Sequence, residues 1–305
     1  MQAPRVHIVV LNWNNATDTI DCLRSLEQHA CDNAETVVVD NGSTDGSAAE
    51  IALRFPDVRM LLLPENLGFS GGVNAGLQDA AEKKANYAFL LNNDAKVEAN
   101  TIANLVECAE DNGKAGILGA KVMMADAPNT VESKGVSINL FTGRIRQIGF
   151  GKPDSEMAKE PVERQAVHGA AMLIRMKMFG DIGPLAEEYF CYFEEIDYCL
   201  RAAKAGWQVL YCPTARVAHK GAASFGGGLS AKRLYYAARN HPLLISKYSD
   251  RYFLPIRLLW VRLLTRLQLL RMPAKKRKRL KHWIKKAWSD FNDGKFGRAD
   301  YDFDE

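Results

Sequence analysis

The first 120 residues alternate short apolar runs with longer segments whose apolar positions recur at helical spacing. Val6–Leu11, Thr36–Asp40, Met60–Leu63 and Tyr87–Leu91 are nearly continuous in β-branched and other apolar residues. Such runs predict strands buried on both faces. Between them, Thr17–His29 sets Ile20, Leu23 and Leu26 three apart, and Ser47–Phe55, Gly71–Glu82 and Thr101–Asn112 carry similar patterns. These segments predict helices. The alternation predicts an α/β fold, a mostly parallel central sheet flanked by helices on both faces.

In such sheets ligands bind beyond the carboxyl ends of the strands. Each predicted strand there meets a polar segment: Asn12-Trp13-Asn14-Asn15, Asp40 to Gly46, Asn66 to Gly76, and Asn92-Asn93-Asp94. Any one of these is explained as a turn, since Asn, Asp, Ser and Gly are turn residues. Four at successive strand ends, mixing acids, amides and glycines, point to a polar ligand. The glycine segment lacks the G-x-G-x-x-G and G-K-[ST] spacings, which argues against a dinucleotide dehydrogenase and a P-loop NTPase. Its glycines suit a close approach of backbone to a diphosphate at a helix start.

Composition adds limits. With 305 residues, 47% hydrophobic and 25% charged, this is an ordinary globular chain rather than a disordered or disulfide-stapled one. Val6–Leu11 is too short for a signal-peptide core or a spanning helix. The six cysteines form no C-x-x-C pair and read as reduced thiols of a cytosolic protein, without a metal role. The net charge of +4 is uneven: residues 1–250 hold 25 Lys and Arg against 30 Asp and Glu, whereas residues 251–305 hold 15 against 6. This shift divides the chain into a mildly acidic globular domain, 1–248, and a basic, amphipathic helical region, 249–305.

An ordered set of motifs then narrows the reading. It runs Val9-Val10-Leu11-Asn12-Trp13-Asn14, Val39 to Ser47, Asn66 to Gly76, Leu90 to Asp94, Gly169 to Ile174, Phe193 to Arg201, Gly206-Trp207 and His219. Across roughly residues 5–240 the chain resembles family 2 of the inverting glycosyltransferases, which share the nucleotide-diphospho-sugar-binding GT-A fold. Within the family it is most similar to rhamnosyltransferase-like members, with their N-W-N start, D-N-x-S-x-D-G and N-x-G-F-x-G-G-x-N.

The resemblance implies roles for particular residues. Asp40 would meet the pyrimidine base, where a carboxylate accepts the imide N–H of uracil or thymine but finds no proton on N3 of cytosine. Leu11, Asn12 and Trp13 would line the nucleoside pocket, with Asn41, Asp45 and Asn74 nearby; Trp13 reads equally as a core aromatic. Asn92-Asn93-Asp94 stands where the family keeps an acidic segment holding Mg²⁺ or Mn²⁺ against the donor diphosphate, so Asn93 and Asp94 become donor residues. Only one carboxylate is present there, and His219 stands where the family adds a histidine ligand; a nitrogen ligand suits Mn²⁺ better than Mg²⁺.

Glu194-Glu195-Ile196-Asp197 aligns with the family's E-D-x-D motif, which makes Glu195 the base that takes the acceptor proton. Acids at a helix start are also favourable helix chemistry, an explanation that covers one of the three better than all. Asp197 and Arg201 read as fixing the helix and loop. For the acceptor or the diphosphate the candidates are His168, Gly169, Glu194, Lys220 and Arg239. After Lys220 come Gly221-Ala222-Ala223-Ser224, then Arg233, Tyr235, Tyr236 and Asn240. Arg233 reads equally as part of a solvated face.

The tail completes the picture. Pro255–Met272 is Leu-rich but carries Arg257, Arg262, Arg266 and Arg271, which makes a membrane span costly. Leu280, Trp283, Ile284, Ala287, Trp288 and Phe291 then fall on one helix side, with Lys278, Lys281, Lys285 and Lys286 on the other. That pattern predicts an anionic membrane surface as partner. Packing on the catalytic body is the competing reading, and nucleic acid is set aside because no recognition motif accompanies the charge.

The combined expectation is a transferase moving a sugar, rhamnose from dTDP-rhamnose first, to a glycan or polyprenyl-diphosphate-linked acceptor. It would be cytoplasmic, peripheral on the inner face of the membrane. A UDP-hexose donor is the runner-up. A nucleotidyltransferase would carry a glycine-rich basic loop after the first strand, and a non-catalytic adaptor would not need Glu195, Asp94 and His219 together.

Overall fold

The computed structural model describes residues 3–29, 31, 33–155, 159–221, 230–270 and 274–303. Residues 222–224, Arg271 and Met272 lie outside these, as does the side chain of Lys278. The chain begins with β1 (Val6–Asn12), α1 (Ala16–Gln28), β2 (Ala34–Asp40), α2 (Ser47–Arg54), β3 (Arg59–Leu62), α3 (Gly68–Glu82), β4 (Tyr87–Asn92), β5 (Ala95–Val97) and α4 (Thr101–Asp111). The strands and helices expected from the pattern are all here, their ends moved by one to three residues. Next come β6 (Ala115–Met124), β7 (Ala127–Ser133), the hairpin of β8 (Val136–Asn139) and β9 (Arg144–Gln147), and β10 (Val162–Glu163). The remainder is β11 (Ala171–Arg175), α5 (Met176–Ile182), α6 (Glu194–Lys204), β12 (Gln208–His219), α7 (Ala231–Tyr248), α8 (Leu254–Leu270) and α9 (Ala274–Asn292).

The sheet runs β10-β12-β6-β11-β4-β1-β2-β3, with β5 added to β12 and β7 to β6. Strands β1 to β4 pair in parallel, and β11 enters antiparallel between β4 and β6. Alternate side chains leave opposite faces. Val10 and Val38 join Ile20, Leu23 and Leu105 on one side; Val9, Val37 and Val39 join Val73, Leu77 and Tyr198 on the other. β3 departs from the expectation of burial on both faces. It is the edge strand, half-buried, with Leu62 exposed.

Two glycines expected to admit a diphosphate have another use. A Cβ on Gly72 would lie 2.4 Å from Leu11 Cδ1, and one on Gly76 would lie 2.2 Å from Val9 Cγ1. Both let α3 lie directly on β1. Gly68 is different, with φ +77° and the Phe190 carbonyl oxygen 2.3 Å from where its Cβ would stand.

The expectation that α9 turns its apolar face to a membrane is corrected. Leu280, Trp283, Ile284, Ala287 and Trp288 are buried with Leu234, Tyr235 and Tyr236 of α7. Trp283 meets Tyr235 edge-on at 6.3 Å, and the Tyr235 hydroxyl donates to Asp290 at 2.6 Å. The basic region therefore docks on α7 across the boundary at residue 248. Lys281 and Lys285 remain exposed. Among the described residues, no helix is long and apolar enough to cross a membrane.

Candidate active site

A cavity of about 330 Å³ opens beyond the carboxyl ends of β1 and β4, bounded by the first residues of α3 and α6. Of the residues singled out in the sequence, Leu11, Trp13, Asn41, Asn93, Asp94, His168, Gly169, Glu194, Glu195, His219 and Arg233 line it. Trp13 is half-buried in the wall rather than in the core. Asn41 holds the glycine segment in place: its Nδ2 donates to the Gly68 carbonyl at 2.9 Å, and its Oδ1 accepts from the Leu67 N–H at 2.9 Å.

The other candidates stand outside the wall. Asn12 is fully buried and donates to Asp40 Oδ1 at 2.8 Å and to Ser47 Oγ at 3.0 Å, tying β1 to the start of α2. Asp40 Oδ2 accepts the Ser43 N–H at 3.0 Å. Asp45 is exposed and accepts the Ser47 N–H at 2.9 Å; hydrogen bonding at Ser47 holds its carboxyl below the ordinary range. Asn74 faces the segment before α6: it donates to Leu185 O and to Glu187 Oε1, each at 2.9 Å, and accepts the Leu185 N–H at 2.9 Å. Lys220 pairs with Asp18 and lies 3.7 Å from Asp21. Arg239, expected near a diphosphate, is instead 1% exposed and donates to the carbonyls of Gly297 and Tyr189 at 2.8 and 3.2 Å.

A charged cluster occupies one end of the cavity. Pairing of β12 with β5 sets His219 opposite Ala95, and the Lys220 N–H donates to the Asp94 carbonyl at 3.0 Å. His219 Nε2 thereby lies 3.1 Å from Asp94 Oδ1, while Nδ1 lies 2.8 Å from Glu132 Oε2. His168 stands edge-on to His219, ring centroids 5.4 Å apart, with Nε2 3.6 Å from Glu132 Oε1. Burial works against charge on His219, but Asp94 and Glu132 outweigh it and push the imidazole up to about 10. Burial pushes His168 down to about 4, aided by the neighbouring His219 charge. Burial also opposes ionisation of Asp94 and Glu132, yet His219 holds both carboxyls below the ordinary range.

This donor set fits a divalent cation. Ligand atoms of Glu132, His168 and His219 lie within 4.8 Å of one another. Asp94 Oδ1 is buried 3.1 Å from His219 Nε2 and, among the described residues, has no hydrogen-bond donor. Carboxylate oxygens mixed with imidazole nitrogens suit Mn²⁺ better than Mg²⁺.

Glu194 and Glu195 enter on the first turn of α6 after an unusual backbone. Phe190, Tyr192 and Phe193 have φ of +63°, +68° and +77°, values that side-chain-bearing residues rarely adopt. Asn240 of α7 holds this segment, its Nδ2 donating to the carbonyls of Tyr189, Cys191 and Tyr192 at 2.8, 2.8 and 3.1 Å. Glu195 is half-buried, and Gly169 lies directly against it: a Cβ there would stand 3.5 Å from Glu195 Cγ. Burial raises the Glu195 carboxyl, opposed by backbone N–H groups at the helix start. Burial and the Glu195 charge raise Glu194 further, and its Oε2 has no hydrogen-bond partner among the described residues. Asp197 accepts from Arg201 Nε at 3.0 Å and from the Tyr248 hydroxyl at 3.0 Å, bracing α6 as expected.

Sequence reasoning missed six wall residues: Phe190, Cys191 and Tyr192 just before α6, and Glu132, Lys232 and Gln147. Glu132 arrives on β7, which pairs with β6 and carries no recognisable motif. Lys232, at the start of α7, sets its Nζ 4.7 Å from the centroid of the Trp13 ring. Gln147, at the base of the β8–β9 hairpin, closes the wall near Glu132.

Known proteins resemble this chain in sequence and in fold. Residues 7–183 match glycosyl transferase family 2. The N-acetylglucosaminyl-diphospho-decaprenol L-rhamnosyltransferase of Mycobacterium tuberculosis is 27% identical over 238 residues, covering 72% of this chain and 78% of that one. A dTDP-rhamnosyl transferase of Shigella flexneri is 22% identical over 250 residues, covering 79% and 80%. A crystal structure of GalNAc-T7 with UDP, GalNAc and Mn²⁺ superposes with a TM-score of 0.66 at 15% identity, over 82% of this chain and 49% of that one. The present chain thus spans about half of GalNAc-T7, and the likeness is one of fold. With more than half of its length matched, the chain belongs to glycosyl transferase family 2 and is a glycosyltransferase of the GT-A fold.

Proposed function

We propose that the chain transfers rhamnose from dTDP-rhamnose, with inversion, to a hydroxyl of a lipid-linked glycan precursor at the inner face of the cytoplasmic membrane. The observation that carries this reading is that Glu195 shares one cavity with the Asp94, Glu132, His168 and His219 cluster. The acceptor hydroxyl gives its proton to Glu195 as its oxygen bonds to the anomeric carbon. On the opposite face the bond to the diphosphate oxygen breaks, and the nucleoside diphosphate leaves with the electron pair. Asp94, Glu132, His168 and His219 would hold a divalent cation, which supplies positive charge against the diphosphate.

Leu11, Trp13 and Asn41 form the nucleoside wall, with the Trp13 ring offering a face to the base. Asp40 accepts the imide N–H of thymine beside the Ser43 amide, since a carboxylate oxygen takes two hydrogen bonds. The choice of rhamnose is supported by the names of the relatives from Mycobacterium tuberculosis and Shigella flexneri, and the lipid-linked diphosphate acceptor by the first of these.

Nucleoside diphosphate release tests the proposal, using dTDP-rhamnose, UDP-glucose, UDP-galactose and GDP-mannose with a polyprenyl-diphosphate-linked N-acetylglucosamine acceptor. Acceptor-dependent turnover should be greatest with dTDP-rhamnose and should cease in excess chelator. Turnover with a UDP-hexose alone would remove the rhamnose assignment. Turnover with GDP-mannose alone would also remove the thymine assignment.

A further inference from the structure

The apolar residues of α8 fall on two faces. Val261, Thr265 and Leu269, four apart, are buried against α7 and α9. The opposite face carries Ile256, Leu259, Trp260, Leu263, Leu267 and Leu270, all exposed, with Leu259 65% and Leu270 59% accessible. At helical spacing these six lie within an arc of about 100°. A continuous apolar stripe of this kind on a protein surface marks an interaction site.

Charge says what covers it. Residues 254–292 contain twelve Lys and Arg and a single acid, Asp290, which is fully buried beside Tyr235. Neither helix therefore presents an exposed carboxylate. Arg262 and Arg266, both exposed, flank the stripe on one side, and Arg257 flanks it on the other, over the rings of Phe141 and Phe253. A second copy seated on the same stripe would bring these like charges together without an acid to meet them. Anionic phospholipid headgroups oppose them, and the acyl boundary takes the apolar side chains.

We infer that the outward stripe of α8, with Phe141 and Phe253 beside it, lies in the headgroup layer of an anionic bilayer. The bilayer face of the molecule is thus α8 and not α9. The β8–β9 hairpin connects that face to the cavity. Its tip packs on α8, where Gly143 leaves only 2.5 Å between a would-be Cβ and Val261 Cγ2, and Gln147 at its base lines the cavity. The paired span from Asn139 back to Val136 is three residue steps, about 10 Å. An acceptor anchored in the same bilayer is thereby offered to the cavity at short range, a purpose that rests on the lipid-linked acceptor proposed above.

Cosedimentation of the full chain with vesicles of equimolar phosphatidylglycerol and phosphatidylcholine tests the surface without any substrate. The wild-type chain should sediment with these vesicles and much less with phosphatidylcholine alone. The exposed double change Leu259→Glu, Leu263→Glu should lower partitioning at least about 10-fold while dTDP binding and the melting temperature stay as in wild type. Vesicles should also shift the tryptophan emission of the wild-type chain to the blue, a shift absent from Trp260→Phe. Wild-type chain that stays in solution, a double variant that partitions as wild type, or unshifted Trp260 emission would each overturn the inference. So would a wild-type dimer that the double change turns into a monomer, without vesicle binding. Failure here leaves turnover of dTDP-rhamnose unaffected, and failure of the rhamnose assignment leaves vesicle binding unaffected.

Discussion

Asn240→Leu offers the sharpest test of how Glu195 is held. The change keeps the branching and heavy-atom count of the side chain inside α7, and removes the two N–H donors shared by the carbonyls of Tyr189, Cys191 and Tyr192 and the oxygen that accepts from Arg239 Nε. Asn240 is fully buried, so water does not replace it. Losing two net hydrogen bonds and stranding buried carbonyls costs about 2–5 kcal/mol if the segment keeps its shape. Against that, each of Phe190, Tyr192 and Phe193 holds a left-handed backbone worth about 1–3 kcal/mol of strain. The two quantities are comparable, so the segment relaxes once the clamp is gone. Glu195 lies only two residues beyond Phe193, and a displacement of about 1 Å costs roughly 10² in turnover.

In the proposed reading donor binding draws on Leu11, Trp13 and Asn41, none of which hydrogen-bonds to Asn240. Calorimetric titration with dTDP should therefore give a Kd within about 3-fold of wild type, against a kcat lower by roughly 10². Near-normal kcat in Asn240→Leu would refute the clamp. An equal loss in donor Kd and kcat would show general damage instead.

Three further outcomes are expected. Glu195→Gln should keep donor affinity and lose about 10²–10⁴ in turnover by stopped assay, whereas near-normal turnover would move attention to Glu194. Because His219 is raised to about 10, it is protonated at neutral pH without a metal; binding of Mn²⁺ should release about one proton and strengthen as pH rises toward 10. Calorimetry in buffers of different ionisation enthalpy reads that proton, and pH-independent Mn²⁺ affinity between 6 and 9, a range of about three units below that value, would contradict it. A chain ending at Tyr248 strips Leu280, Trp283, Ile284 and Trp288 from α7, at about 1.5–3 kcal/mol each, and should melt well below the full chain; equal melting temperatures would separate α9 from the core.

The parallel half of the fold was legible because burial on both faces writes continuous apolar runs, and Val9 with Val10 or Val37 with Val38 serve opposite faces at once. Asp94, His219 and Glu195 were legible as motif positions in a resemblance. Glu132 was not, since it reaches the cavity through the β6–β7 pairing and no local spacing records that. Asn74 and Arg239 misled for a shared reason: a polar side chain near a motif reads as a ligand contact, but distant backbone at Leu185, Tyr189 and Gly297 satisfies each. The apolar faces of α8 and α9 look alike in sequence. Only the position of α7 decides which one is covered.

The pairing of β12 with β5 has a consequence for synthesis. Asp94 and His219 are neighbours only through that ladder, and 125 residues separate them along the chain. At about 5–20 residues per second, a ribosome needs roughly 6–25 s to travel from one to the other. During that interval β1 to β4 already have their partners, whereas the cation cluster lacks one side and Glu195 is still arriving. On the proposed function, a nascent chain has no complete diphosphate site until the last long strand is laid into the sheet, and α7 must follow before Glu195 is fixed.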